Sequence, residues 1–167
     1  MIRVVVDDLA FVSADAIVRP ATSLLEPTTA ALRRLEQVGG AAFWDQVRTQ
    51  RELAVGSAVV TGGGDLGVEL VVHAIIRSTT EAVSRDTVRR ALTAVLQRAA
   101  DWQLAHLAMP LLGTGAGNLT LEDAADVMGA ALASLPGVAG YPRDVTIVVD
   151  SDEERAVVET YLRKSDT

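Results

Sequence analysis

Short runs of β-branched and apolar residues alternate along this chain with segments of helical spacing, and that alternation narrows the fold more than any other feature. The runs are Ile2–Val6, Asp15–Val18, Ala58–Thr61, Leu70–Ile76, His106–Leu111 and Val145–Val149. Most are continuously apolar, the pattern of strands covered on both faces. Helical segments fall between them. Pro27 suits a first helical position, Ala31, Leu32, Leu35 and Val38 share one face, and Gly39 suits the stop. Ala42 to Arg51 reads as a second, shorter helix. Ser84 can cap a helix that turns Val88, Ala91, Leu92, Val95 and Leu96 inward. Thr120, with Asp123 three residues on, starts another that buries Ala124, Val127, Met128 and Ala131 and ends before Pro136. Ser151 and Glu154 form a capping box for the last helix, which buries Val157, Val158, Tyr161 and Leu162. The alternation predicts an α/β chain: a three-layer α/β/α sandwich around a mixed, mostly parallel sheet. No repeat, low-complexity tract or linker divides it, so residues 1–167 are expected to form one domain.

Composition removes several function classes. Apolar residues are 49% of the chain and aromatics 4%, so the core must be aliphatic. The absence of cysteine excludes disulfides and thiolate metal sites and agrees with a cytoplasmic location. A net charge of −7 repels an extended phosphodiester, so no nucleic-acid polymer is expected as a partner. A small anion held by a few N–H groups remains open, because local dipoles act at short range. No apolar run approaches the ~18 residues of a membrane span. Met1 leads directly into a strand pattern rather than a signal peptide.

The stretch with most chemistry runs from Leu107 to Asp126: an apolar strand, then Gly113-Thr114-Gly115-Ala116-Gly117-Asn118, then a helix start. Glycines on every other residue permit backbone geometry that side chains block, and they let main-chain N–H groups turn toward one point. A helix N-terminus beside them adds unpaired donors and partial positive charge. Together these make a cradle for a phosphate. The alternative is a tight strand-to-helix turn. The loop is neither a Walker loop, for no lysine follows, nor a dinucleotide fingerprint near the first strand.

Other candidates are weaker. Asp7 and Asp8 end the first strand, where a carboxylate can accept from an exocyclic amine such as that of adenine, or simply cap a turn. Thr61-Gly62-Gly63-Gly64-Asp65 reads as a hairpin rather than a second ligand loop. His73 lies inside an apolar strand, where a satisfied core residue is the expected role, and His106 begins a strand. Two isolated histidines support neither a zinc site nor a Ser–His–Asp arrangement. Arg33-Arg34 and Arg89-Arg90 read as solvated helix faces.

In this order the segments resemble a macrodomain, the α/β/α module that binds ADP-ribose and related nucleotides. The resemblance is carried by Val6-Asp7-Asp8-Leu9, Asp15-Ala16-Ile17-Val18, Gly56-Ser57-Ala58-Val59-Val60-Thr61, Leu70-Val71-Val72-His73-Ala74 and Met109-Pro110-Leu111-Leu112-Gly113-Thr114-Gly115. It implies that Asp8 accepts from the adenine amine with Leu9 beside the ring. It also implies that Gly113, Thr114, Gly115, Ala116, Gly117 and Asn118 wrap the diphosphate and approach the distal ribose. His73 is then a structural strand residue. No cofactor or metal is implied. The implied partner is ADP-ribose or a related small nucleotide, free or on an ADP-ribosylated protein; no membrane partner is implied, and an oligomer is compatible.

The departures from the family pattern are as informative. Where the family carries Asn-Ala-Ala-Asn, this chain reads Arg19-Pro20-Ala21-Thr22. The last Asn normally holds the distal ribose and helps orient the reacting water. Thr22 offers a hydroxyl with shorter reach and no amide donor, and Asn118 is the only asparagine in the chain. The family's glycine-rich first loop is replaced by Ser23-Leu24-Leu25-Glu26-Pro27-Thr28-Thr29, with no glycine and with Pro27 where an N–H donor would sit. Glu26 is the one carboxylate there and would point negative charge at a diphosphate. Misplacing a reacting group by about 1 Å costs roughly 100-fold in rate, so little or no de-ADP-ribosylating activity of the usual type is expected. Three readings stay open: a nucleotide-binding module, a degenerate scaffold for interaction or oligomerisation with Leu24 or Leu25 filling the cleft, and an ADP-ribosyl hydrolase using Thr22, Glu26 and Asp8.

Overall fold

A computed structural model describes residues 1–48, 51–115 and 118–165. Six strands form one sheet: β1 (Ile2–Val6), β2 (Ala16–Thr22), β3 (Ala58–Gly62), β4 (Leu70–Arg77), β5 (His106–Pro110) and β6 (Asp144–Val149), in the order β1-β6-β5-β2-β4-β3. All neighbours run parallel except β3, which pairs antiparallel with β4. Helices α1 (Ala30–Arg48), α2 (Arg85–Asp101), α3 (Leu121–Leu132) and α4 (Asp152–Ser165) cover the two faces. One aliphatic core lies beneath α2, α3 and α4 and includes Val88, Leu92, Leu107, Met109, Met128 and Val158. The other, with Ile17, Leu25, Leu35, Phe43 and Ile75, lies beneath α1. This is the expected α/β/α sandwich.

The helix caps follow the sequence closely. Ser84 and Thr87 exchange side-chain and backbone bonds in a complete capping box at the start of α2. Thr120 accepts from the Asp123 amide at 3.1 Å, but the Asp123 carboxylate turns away to Arg85 at 2.9 Å. Ser151 accepts from the Glu154 amide, whereas the Glu154 carboxylate reaches the Asp150 amide rather than that of Ser151.

One expectation is corrected near α1. Pro27 does not begin it; an isolated antiparallel bridge with Ala21 draws Pro27 back to the sheet, and the helix starts at Ala30. The break expected at Gly39 is present one residue on: Gly40, with a φ of 70° and a ψ of −166°, leaves the helical path and divides α1 into the two helical segments expected on either side of it. The hairpin reading of residues 61–65 holds, with the Asp65 amide bonded to the Gly39 carbonyl at 2.8 Å.

The split in the sheet positions the site. Strand β2 pairs with β5 only at Ala16–Leu107 and Ile17–Ala108, while it follows β4 as far as Thr22. Beyond Ile17 the two strands part, and Pro20 on β2 and Pro110 on β5 face the opening. Such a point, beyond the carboxyl ends of parallel strands where connections run to opposite sides, is where ligands bind in open α/β sheets.

Candidate functional site: a two-chambered cleft

A cleft of about 840 Å³ opens at this split. The ends of β1, β2, β5 and β6 form its floor, and Asp8, Leu9, Thr28, Thr29, Thr114 and Gly115 stand around it. A second chamber of about 470 Å³ is lined by Thr22, Leu24, Glu26, Arg77, Thr79 and Asn118 among others. The first loop (residues 23–29) and the glycine loop each contribute residues to both. A methyl added to Gly115, whose φ is 129°, would stand 3.2 Å from the Thr29 methyl.

Asp8 caps a single turn at Leu9–Phe11, its Oδ1 accepting from the Ala10 amide at 3.0 Å. Its Oδ2 meets Arg34 Nε at 2.9 Å, and the Arg34 guanidinium lies 5.9 Å from the centroid of the exposed Phe11 ring. Carboxylate oxygens have two lone pairs each, so Asp8 keeps acceptor capacity toward the cleft. Arg34 is exposed, as expected of a solvated helix face, and it also lines the cleft and pairs with Asp8. Arg90 is likewise engaged, with Asp86, Glu81 and the Val55 carbonyl.

The glycine loop divides its donors. The Asn118 amide bonds the Gly115 carbonyl at 3.2 Å and the Leu119 amide bonds that of Gly113 at 2.9 Å, so those two serve the loop itself. The Gly113 and Thr114 amides have no protein acceptor among the described residues. Gly113 does not line the cleft. It is buried with a φ of 91°, and a Cβ there would meet Val88, Leu119 and Val83 at 2.9 to 3.1 Å. Ala116 and Gly117 lie outside the described residues. Of the expected site residues, Asp8, Leu9, Thr114 and Gly115 thus share the larger chamber, and Thr22 and Asn118 share the smaller one.

The first loop is built differently from either expectation of it. Thr22 Oγ1 accepts from the Leu24 and Glu26 amides at 3.3 and 3.2 Å, closing a turn that its own backbone also ties, through its amide to Glu26 and its carbonyl to Leu25. Leu25 adopts a φ of 61°, uncommon for a branched side chain, and is buried in the core. Leu24 is 56% exposed at the edge of the smaller chamber. Neither leucine plugs the cleft. Glu26 is exposed beside the smaller chamber and does not line the larger one.

Beneath this loop lies a polar cluster that sequence reading missed. Arg19 is fully buried and Glu36 nearly so, and the two form an ion pair. Arg19 Nη2 also donates to the Leu25 carbonyl at 2.7 Å, and Nη1 lies 3.2 Å from His73 Nδ1. Arginine only donates, so Nδ1 must accept; His73 Nε2 then carries the proton and donates to Thr61 Oγ1 at 2.8 Å. Burial, and then the Arg19 cation, push the His73 ring down to about 3 from an ordinary 6.5, so it is neutral. Burial lowers the Arg19 guanidinium from its usual value, and Glu36 opposes that shift. The outer positions of the family pattern at residues 19–22 thus have structural work here: Arg19 turns into the core and Thr22 ties the loop. The signal available in sequence was an arginine inside an apolar run, but its partner 17 residues away was invisible.

Among the described residues no cluster of His, Cys, Asp and Glu could hold a metal, and no helix is long and apolar enough to cross a membrane. His73 and His106 both spend ring nitrogens on threonine hydroxyls.

Comparison with known proteins agrees with this geometry. The Macro domain family matches residues 18–128. A macro domain-containing protein of Cupriavidus necator is 30% identical over 158 residues, covering 91% of each chain. Among solved structures, a mutant macrodomain of Oceanobacillus iheyensis with ADPR superposes with a TM-score of 0.82 over 96% of this chain and 91% of that one, at 18% identity. A Trypanosoma brucei macrodomain in complex with ADP-ribose gives a TM-score of 0.83 over 95% of this chain and 68% of that one, also at 18% identity.

Proposed function

The chain belongs to the macro domain family, and from that premise we propose that its cleft binds ADP-ribose or a closely related adenine nucleotide, with little or no hydrolase activity of the family's usual type. The observation that carries this reading is the open, two-chambered cleft with an acceptor at one end and amide donors along its wall. The larger chamber takes the adenosine, Asp8 accepting from the exocyclic amine beside Leu9. The diphosphate runs along Thr114 and Gly115, and the distal ribose reaches the smaller chamber toward Asn118 and Thr22. The Thr114 amide, on a residue that lines the cleft, supplies a donor at short range, which a net charge of −7 does not cancel. The ligand is free ADP-ribose or the same group attached to a protein.

Weak turnover follows from the residues beside the distal ribose. Thr22 Oγ1 already accepts two amides, Glu26 lines the smaller chamber with no histidine beside it, and neither histidine lines either chamber. No paired base and nucleophile stands there among the described residues. A ligand-free scaffold with its cleft filled by leucine is disfavoured, because Leu25 is in the core and Leu24 is at the rim.

Titration calorimetry with AMP, ADP, ADP-ribose and NAD tests the reading. ADP-ribose is expected to bind, and Asp8→Asn to weaken it about tenfold, the scale of one charge-assisted hydrogen bond. No heat at millimolar ligand refutes binding. Release of ADP-ribose from a modified protein at rates that Glu26→Ala abolishes would instead establish a hydrolase.

A further inference from the structure

The geometry points to Arg19, held by Glu36, as the positioning residue of the first loop: through the Leu25 carbonyl it sets the loop that lines both chambers and so governs affinity for the part of the nucleotide beyond the first phosphate. The inference rests on the binding reading above and goes beyond it, because neither side chain touches either chamber.

Loop 23–29 contributes Leu24 and Glu26 to the smaller chamber and Thr28 and Thr29 to the larger. Its turn at Thr22–Glu26 is closed by local bonds that fix its shape but leave its height above the sheet free. Height is fixed where the loop is tied to the core. One tie is the Leu25 carbonyl on Arg19 Nη2, which points inward only because Leu25 adopts its left-handed φ. The others are backbone ties on either side of it: Ser23 to the Arg77 carbonyl and Leu53 to the Ser23 carbonyl at the near end, and the Pro27–Ala21 bridge two residues beyond Leu25, so Arg19 holds the stretch between them. Without Arg19, nothing polar in the described core answers the Leu25 carbonyl, and the left-handed residue loses the bond that rewards its conformation.

Arg19 is itself held on several sides. Glu36 on α1 neutralises it, His73 on β4 accepts from it, and the Phe43 ring lies 5.9 Å from its guanidinium carbon. A planar guanidinium can donate to the carboxylate, the carbonyl and the ring together; a lysine ammonium has no such fork. The buried cation therefore references the loop to α1 and β4 at once. The far end of that loop is Thr29, which lines the larger chamber beside Gly115, while Leu24 and Glu26 at its near end line the smaller one.

The test replaces the pair with apolar side chains of similar length, R19M/E36L, so that no charge is left uncompensated in the core; such replacements commonly preserve folding. E36Q, which keeps an acceptor for Arg19, is the conservative control. AMP fills only the larger chamber, whereas ADP-ribose spans both. The expected result for R19M/E36L is an AMP dissociation constant within twofold of wild type and an ADP-ribose constant raised at least tenfold, with E36Q in between. A parallel change in both ligands, or no change in their ratio, overturns the proposal and leaves the pair a plain core element. If wild-type protein binds neither ligand, the binding reading has failed, and amide exchange decides the positioning claim. Faster exchange of the Leu25 and Glu26 amides in R19M/E36L, with the α2 and α3 amides unchanged, supports it. Unchanged exchange at Leu25 and Glu26 refutes it.

Discussion

Acidification should destabilise this protein through His73 before its carboxylates become involved. The native ring titrates at about 3, against 6.5 for a free histidine. Between those values the unfolded chain binds a proton that the native ring refuses, so stability rises with pH across the window and is complete above 6.5. The slope is about 1.4 kcal/mol per pH unit well below 6.5, and the integrated loss between pH 7 and pH 5 is about 2 kcal/mol. For a domain of this size each kcal/mol moves Tm by about 2–4 °C, so Tm should fall about 4–8 °C over that interval. Carboxylates titrate mainly near 4, which leaves the interval from pH 5 to 7 as the clean one. The control is His73→Gln, whose amide can accept from Arg19 and donate to Thr61 but cannot titrate. Calorimetric scans of both proteins in matched-ionic-strength buffers are the assay. A wild-type Tm flat within 1 °C, or the same slope in His73→Gln, would refute the buried neutral ring. So would an NMR titration of the His73 ring with a midpoint above pH 6.

Removing one partner of the buried ion pair should be far worse than replacing both: Glu36→Ala is expected to cost about 3–5 kcal/mol in denaturant melts, against little for R19M/E36L. Gly113→Ala should destabilise by more than about 1 kcal/mol, since it imposes strain at φ 91° and crowds Val83, Val88 and Leu119; a Tm within 1 °C of wild type would contradict the packing described. Asn118→Ala should weaken ADP-ribose but not AMP in calorimetry, because Asn118 lines only the smaller chamber. Arg34→Ala should change stability by no more than about 1 kcal/mol, as expected of an exposed ion pair.

Much of the architecture was legible in the sequence because its signals are local. Runs such as Leu70–Ile76 are apolar throughout, as a strand covered on both faces requires, and Ser84 and Thr120 sit one residue before the helices they cap. The errors fall where distant residues decide. Asp15–Val18 looked like a short strand ending before a charge, yet β2 runs on to Thr22 because Glu36 and His73 satisfy Arg19 from other elements. Pro27 looked like a helix start, but its bridge to Ala21 is tertiary. For the site, the chain order of Asp8 and the glycine loop indicated their shared cleft. That the first loop and the glycine loop meet was not readable, since Thr29 and Gly115 are separated by 85 intervening positions of chain. Arg34 is solvated as its helix surface pattern indicated, but that pattern could not reveal Asp8 opposite it.

The two prolines that face the split, Pro20 and Pro110, carry a mechanical consequence. Neither imino nitrogen has a hydrogen to give, so at these positions β2 and β5 cannot zip together and seal the gap between them. Parting the strands there strands no donor in a dry floor, and keeping them apart needs no occupant as a wedge. The opening is thus a permanent property of the empty sheet, waiting in shape before anything enters it.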